Sequence, residues 1–326
     1  MRVILEGLSM AIETESYIDA MHAVLTHSGW ISCSKPMLAC MTASAFRFVI
    51  HRRLPEESHT AYNWMAEHFL AADFIGIMTS QGAGFSFDAT FPLYQKEAIN
   101  QIKHFINTGT GAVIWHDRFV VAAGYDDELE ALLISDGTGA ELKLLSYTSF
   151  GCNSTPYWFY QIFEHRITLD PVEIYKESLV QCVHRWESHD PMLPEADYGC
   201  GSAGYEALSE ALEHIGHSSA ALRETLRCYT AAKRNIRDYM KGLVEYWPAL
   251  CEVADYYLAV TAGFDEALQK LDAAAADQNM SLDQRTKEEL QALFAAAKAS
   301  EEQAVEVLRL VIRETLSIRA HDIALR

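Results

Sequence analysis

The pattern of hydrophobic and polar residues divides the chain into two parts. Up to about Arg166, short apolar stretches alternate with glycine-rich turns, and segments with apolar residues three and four apart come between them. The first pattern is typical of strands and the second of amphipathic helices. This part is therefore predicted to be α+β, with helices at YIDAMHAVLTHSG, TAYNWMAEHFLAAD and YQKEAINQIKHFINTG.

The clearest local signal is VIWHDRFVVAAGYDDELEALLISDG, from Val113 to Gly137. It predicts two β-strands joined by a tight acidic turn between Gly124 and Glu128. The apolar run at the N-terminus, MRVIL, predicts a further strand.

From Asp170 onward the pattern is helical, broken by loops such as SHDPMLPEADYGCGSAG. The last segments carry charged faces over stripes of Ala and Leu, which is typical of a helical bundle. Because 326 residues are comfortable for two domains, we expect an α+β domain over residues 1–168 and an all-α bundle over 169–326. A homodimer formed through the bundle is compatible with this pattern.

Composition narrows the classes of partner. The net charge of −19 argues against nucleic acid, because neutralising phosphates needs clustered Lys and Arg. No apolar run approaches the roughly 18 to 20 residues of a membrane span, so no membrane contact is expected. The seven cysteines are scattered without a CxxC pair, which favours a reduced, cytoplasmic protein. Neither a metal site nor a cofactor is predicted.

Three segments carry a resemblance to a known family: PMLACMTASAFRF (Pro36 to Phe48), TAYNWMAEHFLAADFIGI (Thr60 to Ile77), and FVVAAGYDD with LLISDG. In order and style they resemble the butirosin-biosynthesis protein H family, whose helical domain the second half also resembles. The resemblance implies an N-terminal domain similar to papain-like and bacteriocin-processing cysteine peptidases. It also implies that the helix at Tyr17 to His27 packs against the strand at Val113 to Tyr125.

In such a core, a cysteine at a helix N-terminus is activated by a histidine on the facing strand, and a carboxylate or amide orients that histidine. The resemblance puts the nucleophile at Ser16 to Ala20, where there is no cysteine and where Ser16, Tyr17 and Asp19 are the candidates.

Arg118 stands at the expected place of the histidine. His116 lies two residues earlier on the same face of the strand, and Asp136 matches the orienting acid. The expected catalytic residues are therefore His116, Asp136 and Asp19.

These residues also have structural interpretations. His116 and Asp136 could make only local hydrogen bonds, and Asp19 could simply favour the helix dipole. Arg118 could pair with Asp117 or Asp136, or bind a substrate carboxylate or phosphate.

Tyr17, Arg47, Asn63 and Tyr125 complete the candidate substrate-binding residues. For Arg47, which lies between two phenylalanines, an internal ion pair competes with that role. Asn63 shares a helix face with Glu67 that could simply be solvated. The aromatic stretch TPYWFYQIFEH could serve interdomain packing or wall an apolar acyl pocket.

The sequence therefore predicts a natural-product biosynthesis protein that acts on an acyl or peptidyl group, carried by a small molecule or by a carrier protein. The expected reaction is amide formation by acyl transfer from a carrier thioester, or amide hydrolysis, with a non-standard nucleophile. The alternative is a catalytically inactive papain-like scaffold that binds a carrier protein or a small ligand.

Overall fold

The computed structural model describes residues 1–13, 15–54, 58–214, 220–276 and 282–324. Within them the strands are β1 (Arg2–Ile4), β2 (Val49–His51), β3 (Ile77–Phe85), β4 (Ala112–Trp115), β5 (Phe119–Asp126), β6 (Ala131–Ser135), β7 (Lys143–Ser146), β8 (Tyr157–Arg166) and β9 (Tyr198–Cys200). The helices are α1 (Ser16–His27), α2 (Lys35–Met41), α3 (Trp64–Asp73), α4 (Phe91–Asn107), α5 (Pro171–Glu187), α6 (Ala203–His214), α7 (Ala220–Gly242), α8 (Leu250–Ala276) and α9 (Gln284–Ala324). Contacts divide the chain into two compact units, Met1–Leu38 with Trp64–Asp170, and Ala39–Asn63 with Pro171–Arg326.

The first unit is built on an antiparallel sheet with the strand order β3–β8–β4–β5–β6–β7. β1 pairs with β5 beyond the end of β4 and places Ile4 opposite Gly124. Glycine is required there, because a Cβ on residue 124 would lie 2.5 Å from the carbonyl oxygen of Val3. Helices and an antiparallel sheet together confirm the α+β class, and β1 is the strand predicted at the N-terminus.

Strand β5 is the centre of this sheet. All of its residues are buried, as are those of β4 and β6 beside it. Burial of consecutive residues means that both faces of the sheet are covered. The predicted hairpin is present as β5 and β6, but β5 continues through a bulge near Gly124 to Asp126, so the acidic turn lies at 127–130.

Helix α1 packs against β5 and β4, as predicted. Its buried residues Ile18, Met21 and Val24 follow the helical spacing of three. The ring of Tyr17 meets that of Phe119 edge-on, with centroids 5.5 Å apart. The Tyr17 hydroxyl donates a hydrogen bond of 2.9 Å to Gln161 on β8. These contacts fix the start of α1 against the start of β5.

The second unit combines helices α5 to α9 with the segment Ala39–Asn63. In this segment β2 pairs antiparallel with β9. The hydroxyl of Tyr229 on α7 accepts the backbone N–H of Val49 at 3.0 Å and donates to its carbonyl oxygen at 2.6 Å. The sequence placed all of residues 1–168 in the first domain and read the region of β9 as a loop. The structure groups residues 39–63 with the helices because a short, non-local strand pairing anchors them there.

We predict that Tyr229→Phe lowers the free energy of unfolding by about 1–3 kcal/mol, because two backbone groups of the buried Val49 lose their side-chain partner. Urea denaturation should show the loss, and hydrogen exchange should show faster exchange at the Val49 amide. Tyr256→Phe is the matched control, because that hydroxyl bonds Glu252 on the surface of α8. Equal unfolding midpoints for the two variants would contradict the prediction.

Candidate functional site

Helix α1 and strand β5 begin, and strand β6 ends, at the same end of the sheet in the first unit. The hydroxyl of Ser16, the first residue of α1, accepts the backbone N–H of Phe119 at 3.2 Å. Val121 on β5 lies opposite Ser135, the last residue of β6. These are the places that the resemblance assigns to a nucleophile, a base and its orienting group. The structure therefore brings the backbone of these three segments together at one end of the sheet.

A three-residue turn, His116 to Arg118, joins β4 to β5 at this end. Its middle residue, Asp117, has a φ of +56°, in the left-handed region. The carboxylate of Asp117 accepts the backbone N–H of Ser154 at 2.8 Å and its hydroxyl at 2.6 Å. Partial burial by itself raises the pKa of Asp117, but these bonds and the nearby His116 outweigh it and lower the pKa. The turn is therefore tied to the loop that precedes β8.

The half-buried imidazole of His116 is held by an amide. Its Nδ1 lies 3.3 Å from Oδ1 of Asn153, and Nδ2 of Asn153 donates to the carbonyl oxygen of Tyr157 at 2.7 Å. The second bond identifies the oxygen end of the amide, so Nδ1 of His116 is the protonated nitrogen. In the neutral ring Nε2 is then unprotonated, and no described residue hydrogen-bonds to it. Asn153 was not among the sequence candidates, because no motif marks it.

Asp136, expected to orient His116, makes other bonds. Its carboxylate accepts Lys143 Nζ at 2.6 Å and the backbone N–H and hydroxyl of Thr138 at 3.1 and 2.8 Å. Partial burial by itself raises the pKa of Asp136, but the bonds from Lys143 and Thr138 outweigh it and lower the pKa to about 2. In the described part of the chain, no bond joins Asp136 to His116, so the expected pair is replaced by His116 with Asn153.

Asp19 lies inside the first unit, with none of its side chain exposed. Its carboxylate accepts the backbone N–H of Glu13 at 2.9 Å and lies 3.4 Å from Lys35 Nζ. Lys35 also donates to the carbonyl oxygen of Ala11 at 2.6 Å. This burial gives a substrate no access to Asp19. We therefore interpret it as the structural partner of Lys35 and not as a catalytic group.

Two of the candidate substrate-binding residues are core residues of the first unit. Tyr17 is 1% exposed and stacks on His68, with ring centroids 3.5 Å apart. Tyr125 is also 1% exposed, lies near the far end of β5 and donates to Asn107 at 2.9 Å. Neither presents its ring to solvent, so both stabilise the core.

The other two belong to the second unit. Arg47 is buried, with its guanidinium 3.5 Å from the centroid of the Tyr62 ring. Asn63 is half-buried at the end of the same segment. Neither is part of the sheet on which His116 lies.

Arg118 is exposed beside His116. The two carboxylates expected to pair with it bond elsewhere, Asp117 to Ser154 and Asp136 to Lys143. Among the described residues, its guanidinium has no carboxylate within ion-pair distance. The expected internal ion pair therefore does not form, and Arg118 can meet an anion from solution.

A row of aromatic side chains, here called the aromatic row, leads from this end of the sheet to the surface. Neighbouring ring centroids lie 4.5 to 5.8 Å apart along Trp115, Trp64, Tyr157, Phe85 and Phe87. Phe87 is 71% exposed, whereas Trp115 is buried and its indole N–H has no acceptor among the described residues. An apolar group could lie along this row.

The second unit also contains a buried polar network that was not predicted from the sequence, centred on Lys233 of α7 and Glu301 of α9. The sequence does contain a signal for this network. Lys233 occupies a position in the apolar stripe of α7 between Tyr229 and Ile236, and Glu301 occupies such a position in α9 between Ala297 and Ala304. A charged residue at a stripe position indicates a buried pair when its partner is on another helix.

Comparison with known protein families and with curated proteins found no match to this chain. The resemblance to the butirosin-biosynthesis protein H family therefore stays a prediction. In the described ranges, no three His, Cys, Asp or Glu residues are placed to hold a metal ion. None of the described helices combines the length and apolar character needed to cross a membrane.

We predict that Lys35→Met costs about 3–5 kcal/mol of stability, because it removes the ammonium that lies 3.4 Å from the buried carboxylate of Asp19. Adding Asp19→Asn should recover at least half of that loss. Lys176→Met is the control, because it breaks an exposed pair with Glu173 and should cost less than about 1 kcal/mol. If denaturation shows no recovery in the double variant, Asp19 and Lys35 do not act as a pair.

A second prediction concerns pH. The folded pKa of Asp136 is about 2 and its ordinary value is 3.8, so its bonds stabilise the fold above pH 3.8 and lose this effect as the pH falls toward 2. Lys143→Met should move the pKa up toward the ordinary value and reduce stability at neutral pH. A carboxyl-carbon NMR titration measures this directly. An unchanged pKa in the variant would show that Lys143 does not hold Asp136.

Proposed function

We propose that this protein transfers an acyl group from a thioester to an amine, with His116 as the general base and without a covalent acyl-enzyme. The observation that carries the proposal is the bond between His116 and Asn153. It orients the ring and makes Nε2 the unprotonated nitrogen of the neutral imidazole, and this is the nitrogen that a general base uses to accept a proton. An oriented imidazole can activate an incoming amine directly, so the missing cysteine at the start of α1 is no obstacle.

The proposed step balances without another reactant. The amine nitrogen attacks the thioester carbonyl carbon while Nε2 of His116 accepts the amine proton. The carbon–sulfur bond then breaks, and the imidazolium returns its proton to the departing thiolate. An amide and a free thiol are formed, and the enzyme is restored.

Cys33 and Cys40, the first two cysteines that follow α1 in the chain, support a mechanism in which neither of them acts as a thiolate. Burial raises the pKa of Cys33, and burial together with the charges of neighbouring groups raises that of Cys40 well above its usual value. Thiols in such surroundings stay neutral and are poor nucleophiles.

The surroundings of His116 indicate the class of substrate. The exposed members of the aromatic row, Tyr157, Phe85 and Phe87, offer an apolar wall for an acyl chain or aryl group. Arg118, exposed in the same turn, suits a phosphate or carboxylate on the carrier of the thioester.

The test uses the octanoyl thioester of N-acetylcysteamine, with ethanolamine as acceptor. Thiol release and amide formation should both depend on the protein, and His116→Ala should slow them about 10²-fold without changing the melting temperature. His165→Ala, on the exposed far end of β8, is the matched control and should react at the unaltered rate. Intact-mass spectrometry during turnover should show no acyl adduct. An adduct that disappears in Ser16→Ala would replace this mechanism with a covalent one.

The second candidate function is an inactive scaffold. It is favoured because the other expected site residues use their side chains for hydrogen bonds within the protein. Ser16, Asp19 and Asp136 each make structural bonds at this end of the sheet. If the unaltered protein and His116→Ala release thiol at equal rates, the scaffold is the better description. Tryptophan fluorescence would then test whether the aromatic row binds octanoate in the absence of chemistry.

A further inference from the structure

Five helices of the second unit each contribute one side chain to a buried polar network. Its members are Cys182 (α5), Tyr205 (α6), Lys233 (α7), Tyr257 (α8) and Glu301 (α9). The side chains of Lys233 and Glu301 are only 3% and 4% exposed. Two buried charges are tolerated only if they are paired and their hydrogen-bond donors and acceptors have partners.

The carboxylate of Glu301 is well supplied with donors. Oε1 accepts Lys233 Nζ at 2.5 Å and the hydroxyl of Tyr257 at 2.9 Å, while Oε2 accepts the hydroxyl of Tyr205 at 2.6 Å. Burial, together with the negative charge of Glu301, raises the pKa of both tyrosines well above the usual value, so both remain donors. Both oxygens of the Glu301 carboxylate therefore have donors that hold it in place.

The ammonium of Lys233 has fewer hydrogen-bond acceptors than it has protons to donate. It has three protons to donate, but Glu301 is the one hydrogen-bond acceptor that it reaches among the described residues. Its other contact is with the ring of Phe48, whose centroid lies 4.5 Å from Nζ. At least one N–H of a buried cation is therefore left without a hydrogen-bond acceptor, which is costly unless something else provides one.

A small pocket lies beside this group. It is lined by the rings of Phe46, Phe48 and Trp186 together with Cys182, Lys233 and Glu301. It has room for the centre of about one water molecule. A pocket of this size, next to an N–H of Lys233 that has no acceptor among the described residues, can hold one small polar molecule.

We propose that this pocket binds a single water molecule, which accepts a hydrogen bond from Lys233 and donates one to Glu301. A neutral ligand is required, because an anion would face the carboxylate of Glu301 and a cation would face Lys233. The polar lining supplies at least two partners, as a buried water needs.

The Cys182 thiol is consistent with a neutral occupant. Burial, together with the charge of Glu301, raises its pKa to about 12, so it adds no charge to the pocket. The bound water would complete the network that joins α7 to α9 beside Phe48.

Cys182→Val gives a test in which the two possibilities have opposite signs. The added carbon fills the pocket. If water is bound, the substitution displaces it, leaves an N–H of Lys233 without an acceptor and lowers the melting temperature by at least about 2 °C relative to Cys182→Ala. Cys182→Ala is the reference because it also loses the hydrogen bond with Tyr257 but leaves the pocket open. If the pocket is dry, Cys182→Val melts at or above the temperature of Cys182→Ala. The same two substitutions at Cys251, which is exposed on helix α8, give the effect of valine against alanine on a helix.

A crystal structure of the unaltered protein decides the question even if the variant does not fold. The proposal expects a density peak about 2.7–3.2 Å from Lys233 Nζ inside the pocket. A structure at a resolution that shows other buried waters, but no peak at this place, would overturn it.

Discussion

The burial of β5 along its whole length is the constraint on which the first unit depends. Such a strand needs cover on both faces of its sheet, and helices α1 and α4 both pack against it. Because Tyr17 and Phe119 fix α1 on β5, the first residue of α1 is fixed at the end of the sheet where β5 begins. The position of the candidate site therefore follows from the packing of the core.

Each unit also contains a lysine paired with a buried carboxylate, Lys35 with Asp19 and Lys233 with Glu301. Removing such charges from water costs several kcal/mol for each ion, which their mutual attraction and further hydrogen bonds offset. Separating the partners is expensive, so each pair disfavours other arrangements of the segments that carry it. The first pair holds the chain that leads into α1, and the second joins α7 to α9.

The candidate site could be predicted only in part. His116 and Arg118 follow from the local pattern, because the hairpin that carries them is formed by neighbouring residues. Asn153 lies 37 residues from His116, in a loop without a motif, so nothing local indicates their contact. Asp136 has the position of an orienting acid, but its bonds to Lys143 and Thr138 depend on how the next strand lies beside it.

The α+β class, the hairpin of β5 and β6, and the helical second half could be predicted from the sequence, because each depends on the periodicity of neighbouring residues. Three other features could not be predicted: residues 39–63 join the helices, Asn153 holds His116, and Lys233 pairs with Glu301. One cause accounts for all three. Periodicity determines which face of a helix or strand is buried, whereas the partner of that face depends on the packing of segments far apart in the chain.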